Sequence, residues 1–274
     1  MTSQKKAMGV DNSALLGLLD VLGLDEEPLG LSYTDDEPSS GLRPAYHPPI
    51  TRSAEEQGQV DWQKAGESFS CVVSKIWLAR RKSSAAYFDV EHIGCYGAAY
   101  YLGYTHPHLE RSARYIATEE RYVESVEAAD KLLRAIDPPP APARFLVIKP
   151  MRLFPSTVEP EIVIFFARPE TISGLLSLAT FVTNDIDAVK TPSFGPGCAS
   201  IVMWPIKYLR QGQLKAVIGG LDPSCRKYMK TDEMSFAVPV ELFRRMLGRW
   251  EESFLKTKYW TPAMKKIAKS KRAW

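Results

Sequence analysis

Four cysteines carry most of the chemistry this sequence offers, and one local pattern surrounds them twice. Cys71 and Cys95 enclose 23 residues, Cys198 and Cys225 enclose 26, and each pair brackets a helix-like stretch, a basic turn and a short apolar run. The two copies read FSCVVSKIWLARRKSSAAYFDVEHIGC and GPGCASIVMWPIKYLRQGQLKAVIGGLDPSC. If a half-domain has been duplicated and its copies pair about a pseudo-twofold axis, the two cysteine pairs meet. That makes a metal or iron-sulfur site the leading expectation, with Cys71, Cys95, Cys198 and Cys225 as ligands. Cys71 and Cys198 stand where helices begin, and a helix N-terminus stabilises a thiolate through its unpaired N–H groups. Both are therefore expected to be low-pKa thiols. His92 lies three residues before Cys95, and Arg226 and Lys227 follow Cys225 directly.

The spacing itself is not a ligand signature. No CxxC pair is present, so neither a zinc ribbon nor a ferredoxin pattern is met, and convergence has to come from the fold. Buried apolar thiols are the plain alternative, and a dithiol or sulfenic-acid redox pair is a weaker one. Gly97 beside Cys95, and Gly195 and Gly197 around Pro196, form small-residue segments whose N–H groups could face a cluster, a sulfide or an anion. Together with Arg226 and Lys227 they complete the candidate cofactor-binding set. No GxGxxG follows a strand, and no phosphate-binding P-loop, GxSxG or HExxH occurs, so nucleotide binding and serine hydrolysis lack support. His106 to His108 reads as a loop. Arg111, Arg114 and Arg121 offer an anion-binding surface that an ordinary charged helix face explains equally well. No residue identifies a reaction, and the catalytic residues stay unassigned.

The elements that must position these residues alternate between strand and helix, which indicates an α/β or α+β fold. Asp11, Asn12 and Ser13 offer caps to a helix over ALLGLLDVLGL. PLGLSY at 28–33 reads as a strand, and a long Pro-, Gly- and Ser-rich loop covers 34–60. A helix follows Cys71, a strand covers Ala85 to Val90, and helices cover Cys95 to about Gly103, Pro107 to Ala117 and Ser125 to Ile136. The run DPPPAPA at 137–143 excludes helix and central strand and reads as a linker. Beyond it come strands at RFLVI and EIVIFF, a helix at Pro169 to Val182, the second cysteine unit, a strand at Met234 to Val238 and a helix from Pro239 to Leu255. The expected organisation is a first half-domain at 1–136, the linker, a second half-domain at 144–255 and a basic tail at 256–274. Each half is expected to contribute to a mixed sheet with flanking helices.

At 45% hydrophobic the chain can bury a full core. Its net charge of +3 conceals a tail that is basic throughout and a mildly acidic body. Such a tail suits a protein partner or an anionic surface, although a solvated extension explains it too; nucleic acid is not favoured. No stretch is apolar enough to span a bilayer, and the start lacks a signal-like segment, so the expectation is cytoplasmic.

PLGLSY, HIGCYGAAYYLG around Cys95, PGCAS at Cys198 and LDPSCRKYMKTDEMSFAVP resemble the domain of unknown function 169 family, an uncharacterised archaeal and bacterial group, from about Pro28 to about Met246. The resemblance implies that the four cysteines belong together, with His92, Arg226, Lys227, Asp232 and Glu233 alongside. Tyr96 departs from it, standing where proline is usual. A cysteine-ligated iron-sulfur cluster between repeated halves, most simply 4Fe-4S, is the expected cofactor. A zinc-stabilised interaction protein and a non-catalytic ligand-binding or accessory module with free buried cysteines are the alternatives.

Overall fold

The computed structural model describes residues 12–24, 26–46, 52–60, 70–93, 95–105, 109–155 and 157–271. Asp11, the HPH at 106–108 and the segment leading into Ser70 lie outside them, as does Arg272 at the end of the chain. Helix α1 (Asn12–Val21) precedes strand β1 (Leu29–Thr34), and a short helix α2 (Arg52–Glu56) lies in the long loop. Helix α3 (Val72–Lys82), β2 (Ala86–Phe88), α4 (Tyr96–Tyr101), α5 (Leu109–Tyr115) and α6 (Val126–Ile136) complete the N-terminal part. Ser125 caps α6 as expected, its hydroxyl accepting the Ala128 N–H at 3.1 Å. Then come β3 (Phe145–Pro150), β4 (Ile162–Ala167), α7 (Pro169–Thr183), β5 (Val189–Lys190), α8 (Trp204–Arg210), β6 (Ala216–Gly219), α9 (Pro223–Arg226), β7 (Met234–Pro239), α10 (Val240–Arg249) and α11 (Thr261–Lys271).

Seven strands form one mixed sheet in the order β2-β3-β1-β4-β7-β6-β5, antiparallel throughout except where β5 runs parallel to β6. The sheet does not divide at the Pro-rich segment. Strand β3, which follows that segment, lies between β1 and β2, so 137–143 separates no two sheets. The registers are matched about the centre. β1 pairs with β3 from Leu29↔Pro150 to Thr34↔Phe145, and β4 pairs with β7 from Ile162↔Pro239 to Ala167↔Met234. β2 borders β3 as β6 borders β7. Between them β1 meets β4 at Leu29↔Ile164 and Leu31↔Ile162.

Successive strand residues point to opposite faces, and both faces are covered, which explains why EIVIFF reads as an unbroken apolar run. Ile162 and Ile164 join Leu29, Leu31, Leu146 and Ile148 in the core beneath α3, α4 and α8. Val163 and Phe165 join Phe236 and Val238 in the core beneath α1, α7, α10 and α11. The C-terminal segment is part of the second core. Trp260 is 4% exposed and its indole N–H donates to the Val21 carbonyl at 2.8 Å, while Ile267 packs beneath α1 and α7. Among the described residues no helix is long and apolar enough to cross a membrane.

Candidate functional site

All four cysteines belong to the core on one face of the sheet. Cys198 and Cys225 are part of its buried cluster, and the half-buried Cys71 and Cys95 pack against it. All are free thiols. Cys71 stands at the N-cap of α3 and Cys95 at the N-cap of α4, both in extended conformation. Cys198 directly precedes a π-helix, Ala199–Met203, that runs into α8, and Cys225 lies within α9. Each segment is thereby a helix start delivered from a different part of the chain.

Electrostatic influence connects the four. Burial holds the Cys198 thiol well above its usual pKa, and the adjacent Cys95, Cys71 and Asp222 raise it further. Burial pushes Cys225 up to about 12, with Asp222 and Cys71 adding to the rise and Arg226 opposing it. Burial pushes Cys95 up to about 11; the Ala98 and Gly97 amides offset part of that, while Cys71 and Glu120 add to it. The expected low-pKa thiol at Cys198 is therefore not found. A helix start lowers a thiol pKa through a few partial charges, whereas removal of the thiolate from water costs more than they return.

The sulfurs do not close on a point. Among the described residues, the one group of three or more His, Cys, Asp or Glu ligand atoms lying mutually within 4.8 Å is Asp89, Glu91 and His92. No three cysteines meet that spacing, which corrects the expectation of a ready-made cysteine cluster. Asp89 is buried, and its carboxylate lies 2.9 and 3.1 Å from His92 Nδ1 and accepts the Glu91 N–H at 2.8 Å. That contact ties the β2 end of the Cys95 loop.

The second pair is held by specific contacts. Asp222 caps α9 by accepting the Ser224 N–H at 3.2 Å and also accepts the Gly197 N–H at 3.1 Å, joining the Cys225 helix to the turn before Cys198. The Cys225 thiol donates to the Asp222 carbonyl at 3.1 Å. Gly197 is required by this approach, because a Cβ there would stand 2.8 Å from both Cβ and Sγ of Cys225 and 3.2 Å from Val73. Gly195 supplies a turn at φ 114°. Gly97 has no comparable constraint, since a Cβ would meet only the Tyr101 ring at 3.8 Å.

The basic pair after Cys225 takes other work. Arg226 donates to the carbonyls of Gly220, Lys230 and Thr231 at 2.9, 2.9 and 2.7 Å and so staples the loop between β6 and β7. Lys227 is exposed with its amine 5.1 Å from the Tyr228 ring. Asp232 pairs with Arg168 at 3.0 Å, and Glu233 is buried against Arg80.

Several groups around the thiols carried no sequence signal. A second π-helix, Ile116–Glu120, continues α5 and brings Glu120 towards Cys95 and Asp222. Partial burial, with Asp222 nearby, raises the Glu120 carboxyl. Burial suppresses the ionisation of Tyr101, and Cys198, Tyr100, Glu120 and Cys95 add to the effect. π-helical turns are rare and recur at functional sites, and both described here border the cysteines. Two half-buried and two buried thiols thus share this side of the core with Asp222, Glu120 and Tyr101.

A family match covers residues 17–249, described as an uncharacterised ArCR. The chain belongs to the domain of unknown function 169 family. The match takes in all four cysteines, both π-helices and the whole sheet, while α11 lies beyond it. No curated protein and no solved structure matches the chain. Membership of the domain of unknown function 169 family thus assigns a kinship and leaves the activity to be argued from the site.

Proposed function

We propose that the chain binds an iron-sulfur cluster, 4Fe-4S in type, through Cys71, Cys95, Cys198 and Cys225, and that its role depends on that cluster. The observation that carries the proposal is that the chain's four cysteines, supplied by four separate segments, belong to one core face and influence one another's ionisation. A cluster is proposed in preference to a lone ion because it asks less of the spacing. A tetrahedral zinc with bonds of about 2.3 Å holds its thiolates about 3.8 Å apart, and no three of these sulfurs lie mutually within 4.8 Å. In a cluster each thiolate binds a different iron, which suits a wider set.

The sheet supports a duplication behind this arrangement. The unit β1-β3-β2 and the unit β4-β7-β6 have the same pairing and the same register, and they meet at β1 and β4. In each, a helix led by a cysteine covers the outer two strands of the unit, and a second cysteine follows the edge strand. The halves in this reading interleave along the chain at β3, so the boundary is one of strand sets and not of separate domains.

Anaerobic purification followed by iron and acid-labile sulfide analysis tests the proposal. Iron and sulfide in equal amounts with a broad visible absorption are expected, and Cys→Ser at any of the four positions is expected to lower both. Protein that takes up neither after reconstitution with iron and sulfide overturns it.

A further inference from the structure

A cleft of about 450 Å³, partly open to solvent, lies beyond the end of the sheet where Ala167 of β4 pairs with Met234 of β7. Five separate segments wall it: the turn after α1, the end of β4, the start of α7, the loop from α9 to β7, and α11. Leu24, Phe166 and Ile267 supply its apolar surface. Gly23 lets the first and last of these segments close together, since at φ 64° a Cβ there would stand 2.3 Å from Ile267. Helix α11 lies beyond the residues of the family match, so an element particular to this chain completes the cleft. None of the four cysteines lines it.

The charges around the cleft are of both signs and balance. Glu26, Asp232 and Glu233 line it together with Arg168 and Lys230. Arg80, outside the lining, pairs with Glu26 and Glu233 and brings the count to three of each sign. Burial works against the Glu26 carboxylate, yet Arg80 and Lys230 more than offset it and hold its pKa below the usual range. The accessible charges are Glu26 and Asp232, each 40% exposed, and Lys230, 59% exposed. Lys230 pairs with Glu26 at 3.1 Å and Arg168 with Asp232 at 3.0 Å. Partly exposed pairs of this kind contribute little, so a ligand's charges can replace them at small cost. A cleft of this size, with apolar walls and a few fixed polar groups, has the form of a small-molecule site. A ligand of single charge would leave one sign uncompensated, whereas a molecule carrying both complements the balanced rim.

We propose that the cleft binds a free α-amino acid with an apolar side chain, its ammonium held by Asp232 and Glu26, its carboxylate by Lys230 and Arg168, and its side chain against Leu24, Phe166 and Ile267. Asp232, which stands out in the sequence after Cys225 and has no part in the cluster reading, thereby acquires a role. The cleft shares no residue with the cysteine set, so the proposal stands or falls apart from the iron-sulfur reading.

Titration of the full chain with L-leucine, L-methionine and L-phenylalanine, followed by ligand-detected NMR, tests it. At least one is expected to bind with a dissociation constant of about 1 mM or below. Its N-acetyl and carboxamide derivatives, each lacking one charge, are expected to bind about tenfold more weakly, as for loss of one hydrogen bond to a charged group. Asp232→Asn is expected to weaken the free amino acid about tenfold and leave the N-acetyl derivative unchanged. Lys230→Gln is expected to do the same with the carboxamide left unchanged, and it serves alone if a thermal melt shows that Asp232→Asn does not fold. Absence of binding by all three amino acids at about 10 mM, derivatives that bind as tightly as the parent, or folded variants with wild-type affinity would each overturn the proposal.

Discussion

Replacement of Glu233 by glutamine probes the ion pair that braces the cysteine segments from the far side. Glu233 lies in the loop from α9 to β7, and Arg80 lies near the C-terminal end of α3, whose N-cap is Cys71. Their side chains are 5% and 7% exposed, and two hydrogen bonds of 3.0 and 2.6 Å form a fork between guanidinium and carboxylate. Arg80 also lies 4.0 Å above the Phe166 ring. Removing one partner of a buried pair costs about 3–5 kcal/mol. Glu26, 40% exposed, remains bonded to Arg80 at 2.7 and 3.0 Å and retains part of the charge compensation. The expected loss for Glu233→Gln therefore falls at the lower end, about 3 kcal/mol, or a fall of roughly 6–12 °C in Tm. Arg80→Met combined with Glu233→Leu replaces the pair by apolar contact and is expected to be less destabilising than the two single changes summed, by at least about 1 kcal/mol. Urea unfolding at pH 7 measures wild type, Glu233→Gln, the single changes Arg80→Met and Glu233→Leu, and the double change. Strict additivity, or a Glu233→Gln loss below about 0.5 kcal/mol, would refute the assignment of a coupled buried pair. Iron uptake by Glu233→Gln should fall with stability, because the pair links the Cys71 helix to the Cys225 loop.

Two further outcomes follow from the site geometry. Gly197→Ala forces a methyl group against Cys225 and Val73, and overpacking of this kind costs about 1–3 kcal/mol; an unchanged thermal midpoint would show that the turn before Cys198 yields freely. The raised pKa values of Cys95 and Cys225, about 11 and about 12, mean that the folded state keeps protons the unfolded chain releases from about pH 8.5. Their contribution is fully present below that pH and is lost as pH rises through the folded values. Metal-free Cys225→Ala is expected to lose stability less steeply than wild type between about pH 8.5 and 12, and an equally steep urea-midpoint profile would contradict the burial of that thiol.

Strands and most helices were legible because their signals are local. PLGLSY, RFLVI and EIVIFF carry β-rich apolar runs, and Ser125 announces a helix by its hydroxyl. Strand order is not a local property. Nothing in RFLVI tells that it inserts between two strands from before the Pro-rich run, since its pairing depends on β1 and β2 presenting free edges. The docking of the C-terminal helix was hidden for a related reason. Tyr259 and Trp260 are adjacent aromatics, yet one is 79% and the other 4% exposed, and only the groove under α1 and α7 decides between them. The cysteines stood out by type. Glu120 did not, because its place depends on a π-helical turn, whose i→i+5 bonds rotate side chains off the 3.6-residue pattern that sequence periodicity reports.

The placement of the thiols follows from how the two strand sets share their faces. Helix α3 lies over β2 and β3 and α8 over β6 and β7, so both cysteine-led helices occupy the same side of the sheet. The large additions, α7, α10 and α11, cover the opposite side with α1. On the cysteine side the two sets are not equally finished. Asp222 and Gly197 lock Cys198 and Cys225 together in the second, whereas Cys71 and Cys95 in the first are half-buried and Gly97 beside them has room for a side chain. The second pair is therefore the more closely packed of the two.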